Sequence, residues 1–314
     1  MTHRKSIVVG IDYSDGSRAA LATATAIAAT TGAEVHAVHV IDALAALDLE
    51  AALASSGESA RERLVTGART EWHAFSAAVP GGTAALFELR TDNRLAGLYS
   101  VAEMREADLL VIGAGAEPGR VGSLAIPCVR HSKRDVLVVR GADAGVRTIV
   151  ACVDFSTASR DALSHAASLA TDLGAALHVL HVFDEPWRSL HAGAAGVDAD
   201  GSLARGYADA TQARMRDFTR DLGATLGGRK ATCSVVRGSD IAASIEQYAR
   251  DVGADLIAIG TRGRTTLRDL LLGSVAERVI RDSTRSIFAV KPSTFRSRLT
   301  TDDPNSLAHS RVLA

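Results

Sequence analysis

Four stretches of this chain occur twice, and the duplication limits its fold more than any other feature of the sequence. Ser6–Ser14, SIVVGIDYS, returns as Thr148–Ser156, TIVACVDFS, and Glu34–Asp42, EVHAVHVID, returns as Ala176–Asp184, ALHVLHVFD, both 142 positions later. Ala107–Gly113, ADLLVIG, answers Ala254–Gly260, ADLIAIG, and Asp135–Arg140, DVLVVR, answers Ser286–Lys291, SIFAVK. Such self-similarity means one structural unit present in tandem. The junction falls near Ala142–Arg147, so we expect a first domain over 1–143, a second over 144–294 and a polar tail over 295–314. With 314 residues, 47% of them hydrophobic, the chain can fill two cores of ordinary size.

Each copy alternates short β-branched runs with helical spacing. Ile7–Ile11 and Ile149–Val153 read as buried parallel strands that end at Asp12 and Asp154. In the second copy Leu163, Ala166, Ala170 and Leu173 keep helical spacing and Gly174 marks the stop. Second strands over Val35–Val40 and Leu177–Val182 follow, and then Ala43–Ser56 and Pro186–Gly201, read as loop or weak helix. A longer helix is carried by Leu64, Ala68, Trp72, Phe75 and Val79, or by Tyr207, Met215, Phe218 and Leu222. Third strands near Ala84–Leu89 and Thr232–Val236, helices over Leu95–Glu106 and Ile241–Val252, and two more strands complete the copies. Strands alternating with helices predict an α/β fold, a doubly wound parallel sheet in each copy, with ligands bound beyond the carboxyl ends of the strands where strand order reverses.

The chemistry concentrates between Ala254 and Pro292. The strand Leu256–Ile259 ends at Gly260; Gly263 follows, then Gly273 and Ser274, and a helical pattern runs from Val275 to about Asp282. A Gly-rich loop opening a helix N-terminus favours an anion, because the first backbone N–H groups lack partners and the helix dipole points there. Turn chemistry alone also has a case, since Ser274 and Glu277 have the S-x-x-E spacing of a capping box. Three glycines between one strand and one helix exceed what a turn needs, so phosphate binding outweighs it.

The spacing G-x2-G-x9-G-S, formed by Gly260, Gly263, Gly273 and Ser274, resembles the ATP-binding signature of universal stress proteins, and with the duplicated strands the resemblance covers essentially the whole chain in tandem. It implies a Rossmann-like sheet of order 3-2-1-4-5 in each domain and an ATP-binding regulator of the stress response; the residues present favour binding without efficient turnover, and a cytoplasmic protein is expected. It also implies a site: Asp154 meets the nucleoside, with Cys152 on a neighbouring wall and the backbone of Val182 at the adenine. Ile259, Gly260, Arg262 and Gly263 form the loop, and Gly273, Ser274 and Val275 close on the phosphates of ATP, with or without Mg2+. Dimerisation through the last strands, Val136–Val139 and Ile287–Val290, is implied too, within the chain as a pseudo-dimer and between chains as a homodimer. The first copy keeps Asp12, Gly122 and Ser123 but shortens the loop, puts Ala116 where the second glycine would fall and adds Glu117. We therefore expect one nucleotide site, in the second domain.

Several classes are disfavoured. A net charge of -1 supplies no basic field for nucleic acid. Cys128, Cys152 and Cys233 are too far apart for a disulfide framework or a zinc knuckle. No run of residues reads as a signal peptide or membrane span. A G-K-[ST] loop is missing, and Arg262, Arg264 and Arg268 either supply charge to the phosphates or form a solvated face, the commoner fate of such residues. His36 and His39, like His178 and His181, are three apart in a strand and point to opposite faces, so neither pair is a ready metal site. Competing readings are a weak ATPase, and a module for apolar ligands lined by Ala43–Ser56 and His191–Gly196.

Overall fold

The computed structural model describes residues 5–53, 59–114, 124–141, 145–185, 187, 201–262 and 272–292. They fall into two compact units that meet in sequence between Ala144 and Gly145.

The first unit contains β1 Ser6–Ile11, α1 Asp15–Thr31, β2 Glu34–Asp42, α2 Ala43–Leu53, α3 Ala60–Ala77, β3 Leu86–Asp92, α4 Arg94–Met104, β4 Leu109–Gly113, α5 Ala125–His131 and β5 Asp135–Val139. The second contains β6 Thr148–Cys152, α6 Thr157–Leu173, β7 Ala176–Phe183, α7 Ser202–Phe218, α8 Leu222–Thr225, β8 Thr232–Arg237, α9 Ile241–Asp251, β9 Leu256–Gly260, α10 Ser274–Asp282 and β10 Ser286–Val290. All strand pairs within a unit are parallel, and the order is β3-β2-β1-β4-β5 in the first and β8-β7-β6-β9-β10 in the second, the expected 3-2-1-4-5 in both. The register repeats as well: Ser6 pairs with Glu34 and Thr148 with Ala176.

The repeated sequence produces repeated local devices. Ser14 caps α1 by accepting from the Ser17 N–H, Ser156 caps α6 by accepting from the Ser159 N–H, and both helices stop at a left-handed glycine, Gly32 or Gly174. The Ala-Asp pair before each fourth strand has two separate jobs. Ala107 and Ala254 are fully buried. Asp108 Oδ2 accepts the backbone N–H groups of Lys5 (2.7 Å) and Ser6 (3.2 Å), and Asp255 Oδ2 accepts those of Arg147 (2.8 Å) and Thr148 (2.9 Å). Each carboxylate thus fastens the start of one central strand to its neighbour. Asp255→Ala leaves two N–H groups without this acceptor, and we expect a loss of about 1–2 kcal/mol in the second unit, read by hydrogen exchange of β6 under native conditions.

In the second unit β6 is the central strand, between β7 and β9, and Ile149 and Leu256 are fully enclosed. The chain moves outward through β7 to β8, then crosses back to β9 and β10. Right-handed crossovers in opposite directions put α6 and α7 on one face and α9 and α10 on the other. The reversal lies between β6 and β9.

Two expectations are corrected. The third strand begins at Leu86, not Ala84, because Gly82–Ala84 forms a short 3-10 turn. The segment from Ala43, left open between loop and weak helix, is helical through Leu53, with Leu44 and Leu47 largely exposed; the part of Ala43–Ser56 beyond Leu53 lies outside the described residues, as does His191–Gly196.

Candidate functional site

A cavity of about 350 Å3 opens at the carboxyl ends of β6, β7 and β9 in the second unit. Its position at the reversal of strand order is the one that doubly wound sheets reserve for ligands.

Of the ten expected site residues, all but Gly263 line it, and Gly263 lies outside the described residues. Cys152 and Asp154 come from the end of β6, and Val182 from the end of β7. Ile259, Gly260 and Arg262 come from the end of β9, while Gly273, Ser274 and Val275 come from the start of α10. Their counterparts Gly122 and Ser123 in the first unit lie outside the described residues, as do Ala116, Glu117, Arg264 and Arg268.

Asp154 is held by its own turn. Its Oδ1 accepts the Ser156 N–H at 3.0 Å and the Ser156 hydroxyl at 2.5 Å, and its N–H donates to Ser159 Oγ at 3.3 Å. The next residue, Phe155, has φ 63°, a left-handed conformation that is unusual for a bulky side chain. Packing over-determines it: the ring lies 4.3 Å from His181 and 5.4 Å from Phe218, with the Arg214 guanidinium over it at 4.6 Å. His181 Nδ1 also meets the Val153 carbonyl at 2.7 Å. The first unit repeats the device with Tyr13 (φ 63°), whose ring meets His39 and Phe75, and with His39 Nδ1 at 2.9 Å from the Ile11 carbonyl. There the Asp12 carboxyl is held below its usual range: burial opposes ionisation, but hydrogen bonds from the Ser14 hydroxyl and N–H overcome it.

The strand histidines are therefore structural, with His178 Nδ1 3.1 Å from the Tyr248 hydroxyl. Among the described residues no cluster of three or more His, Cys, Asp or Glu is arranged to hold a metal. Burial pushes the Cys152 thiol up to about 12, so this wall is neutral.

The capping-box expectation is wrong. The N-cap of α10 is Gly273, Ser274 is the first helical residue, and the cap makes no side-chain hydrogen bond. The Glu277 carboxylate accepts from Arg281 at 2.8 Å. The first N–H groups of α10 thus open toward the cavity with no side-chain cap among the described residues. An exposed helix start of this kind, with Arg262 beside it and the Asp154 carboxylate at the end of the neighbouring strand, can hold an anion and offer an acceptor to hydroxyl donors next to it.

Sequence reasoning missed part of the wall. Tyr207 carries the helical pattern with Met215 and Phe218, and it is 36% exposed and lines the cavity with Phe183, Asp184, Ile241 and Ile245. Helical spacing from Tyr207 to Met215 suggested burial, but the start of α7 overhangs the cavity rather than the sheet. Only the partner contacts distinguish the two.

Glycines at equivalent strand ends serve different purposes. A Cβ on Gly113 would lie 2.2 Å from the Gly16 carbonyl carbon, whereas one on Gly260 would meet its nearest neighbours, the Ala158 and Arg262 carbonyl oxygens, at 3.4 Å. Gly113 is required by the close approach of α1. The glycine at 260 is not required by packing among the described residues.

Comparison with known proteins agrees with this geometry. The family model described as Universal stress protein family matches residues 3–140 and again 145–291. Universal stress protein MJ0577 of Methanocaldococcus jannaschii is 30% identical over 149 residues, covering 44% of this chain and 90% of that protein. Universal stress protein MJ0531 of the same organism is 30% identical over 158 residues, covering 49% and 87%. Among solved structures, a universal stress protein from Archaeoglobus fulgidus aligns with TM-score 0.60 at 20% identity over 91% of this chain and 98% of its own. A protein of unknown function, PA1789 of Pseudomonas aeruginosa, aligns with TM-score 0.60 at 19% identity over 92% and 93%. These two show a shared fold. The duplicated motifs, the strand order and the double family match lead to one conclusion: the chain belongs to the universal stress protein family and carries two of its domains in tandem.

Proposed function

We propose that the protein binds an adenine nucleotide, ATP, in its second domain and acts as a regulator of the stress response without efficient turnover. One observation carries the proposal: the start of α10, with no side-chain cap among the described residues, and Asp154 line the same cavity at the strand-order reversal. Phosphates would take the N–H groups of Ser274 and Val275 and the Arg262 charge, as anions do at helix starts. The ribose hydroxyls would donate to Asp154, whose carboxylate is already oriented by Ser156. Mg2+ would arrive on the phosphates, since no donor cluster for it exists among the described residues.

The second domain is preferred because α1 of the first presses closely on Gly113, whereas the space beside Gly260 is wider. The same reading makes the protein a cytoplasmic homodimer; among the described residues no helix is long and apolar enough to cross a membrane. The test is to precipitate the purified protein with acid and identify the released small molecule by chromatography and mass spectrometry. One adenine nucleotide per chain is expected. Its absence, with no uptake of added ATP or cyclic AMP, would overturn the proposal, and two per chain would assign a site to the first domain as well.

A further inference from the structure

Beyond the residues of the signature, the cavity has an aromatic wall. The Tyr207 ring lies 5.4 Å from Phe183 and 5.8 Å from Trp187, the latter pair edge-to-face at 87°. Trp187 and Phe183 are buried, while Tyr207 keeps 36% of its surface exposed and faces the cavity. A large ring, backed by two others and left partly bare over an open cavity, has unused stacking surface. Its place in the site is decided by strand order. Phe183 ends β7, and β6 stands between β7 and β9. At a strand spacing of about 4.8 Å, the aromatic wall is roughly 10 Å from the loop that follows β9, on the side away from the anion-binding helix start.

We infer that Tyr207 is a specificity-determining residue, the flat wall against which the base of the ligand stacks. The inference rests on the nucleotide reading above and adds to it what selects a planar heteroaromatic ring at the end remote from the phosphates. Ile241 and Ile245 also line the cavity and make it apolar there, so the ring would be enclosed between an aromatic face and aliphatic side chains. Because Tyr207 is exposed and near the start of its helix, its replacement should leave the fold intact.

The experiment is titration calorimetry of the full chain with ATP, on the wild type and on Tyr207→Phe, Tyr207→Leu and Tyr207→Ala, with melting curves for each. Tyr207→Phe keeps the ring and should bind as the wild type does. Tyr207→Leu keeps apolar bulk without the ring and should weaken ATP about ten-fold, as should Tyr207→Ala, in line with the loss of one base–aromatic stack. Wild-type affinity in Tyr207→Ala, or in Tyr207→Leu, would overturn the assignment, the second by showing that bulk suffices. A folded wild type that fails to bind ATP at all would instead bring down the nucleotide reading, and this inference with it.

Discussion

Gly273→Asp should abolish nucleotide binding while leaving the protein as stable as before. Gly273 is the N-cap of α10 and offers no side chain to the helix start. Aspartate is among the residues that cap helices best, so its carboxylate would accept the N–H groups that the cavity now exposes and would complement the helix dipole. The melting temperature should be unchanged or slightly higher. The ligand would lose the same N–H groups and meet a negative charge in their place. Charge-assisted hydrogen bonds contribute about 1.5–3 kcal/mol each, so losing one or two, with repulsion added, should weaken ATP more than about a hundred-fold. Titration calorimetry together with differential scanning calorimetry would read both effects. A variant that binds ATP like the wild type would show that the helix start does not hold the phosphates. The β-region angles of Gly273, φ −62° and ψ 140°, are ones any residue adopts, so the backbone does not require glycine there.

The second large effect separates the two copies. Gly113→Ala places a Cβ 2.2 Å from the Gly16 carbonyl carbon, 2.3 Å from its oxygen and 2.7 Å from the Ser17 nitrogen. All three are backbone atoms of the first turn of α1, so relief requires the whole helix to move off the sheet. Overpacking of this kind costs about 3 kcal/mol or more. Gly260→Ala, at the matching end of β9, meets nothing closer than 3.4 Å and should change stability by less than about 1 kcal/mol. Because two units unfold in one chain, a single transition is an unsafe reference. Hydrogen exchange followed separately over β1–β4 and β6–β9 gives the loss unit by unit. Equal losses in the two variants would contradict the difference in helix approach.

Much of this protein was legible before any coordinates. The 142-residue offset announced two copies, β-branched runs marked the ten strands, and their alternation with helices required parallel sheets with right-handed crossovers. The residues carried over by resemblance also line one cavity wherever they are described. This succeeds because strand period and loop composition are local properties, written in neighbouring residues, and because parallel topology leaves few ways to arrange the strands.

What failed shares one cause. The S-x-x-E spacing at Ser274 has the form of a cap, yet the helix starts one residue earlier in the chain, so Gly273 occupies the cap and Ser274 faces the cavity. Tyr207 keeps helical spacing with buried residues, yet its ring overhangs the site beside Phe183 and Trp187. Gly113 and Gly260 occur in almost identical sequences, yet only the former is forced by packing, because Gly16 lets α1 approach where Ala158 keeps α6 away. The sequence by itself determined the number of domains and their parallel sheets, and the resemblance it carries implied the strand order that is observed. The tertiary structure alone decided which groups line the cavity, since shifts of one residue or about one ångström leave local patterns unchanged but alter which groups meet it.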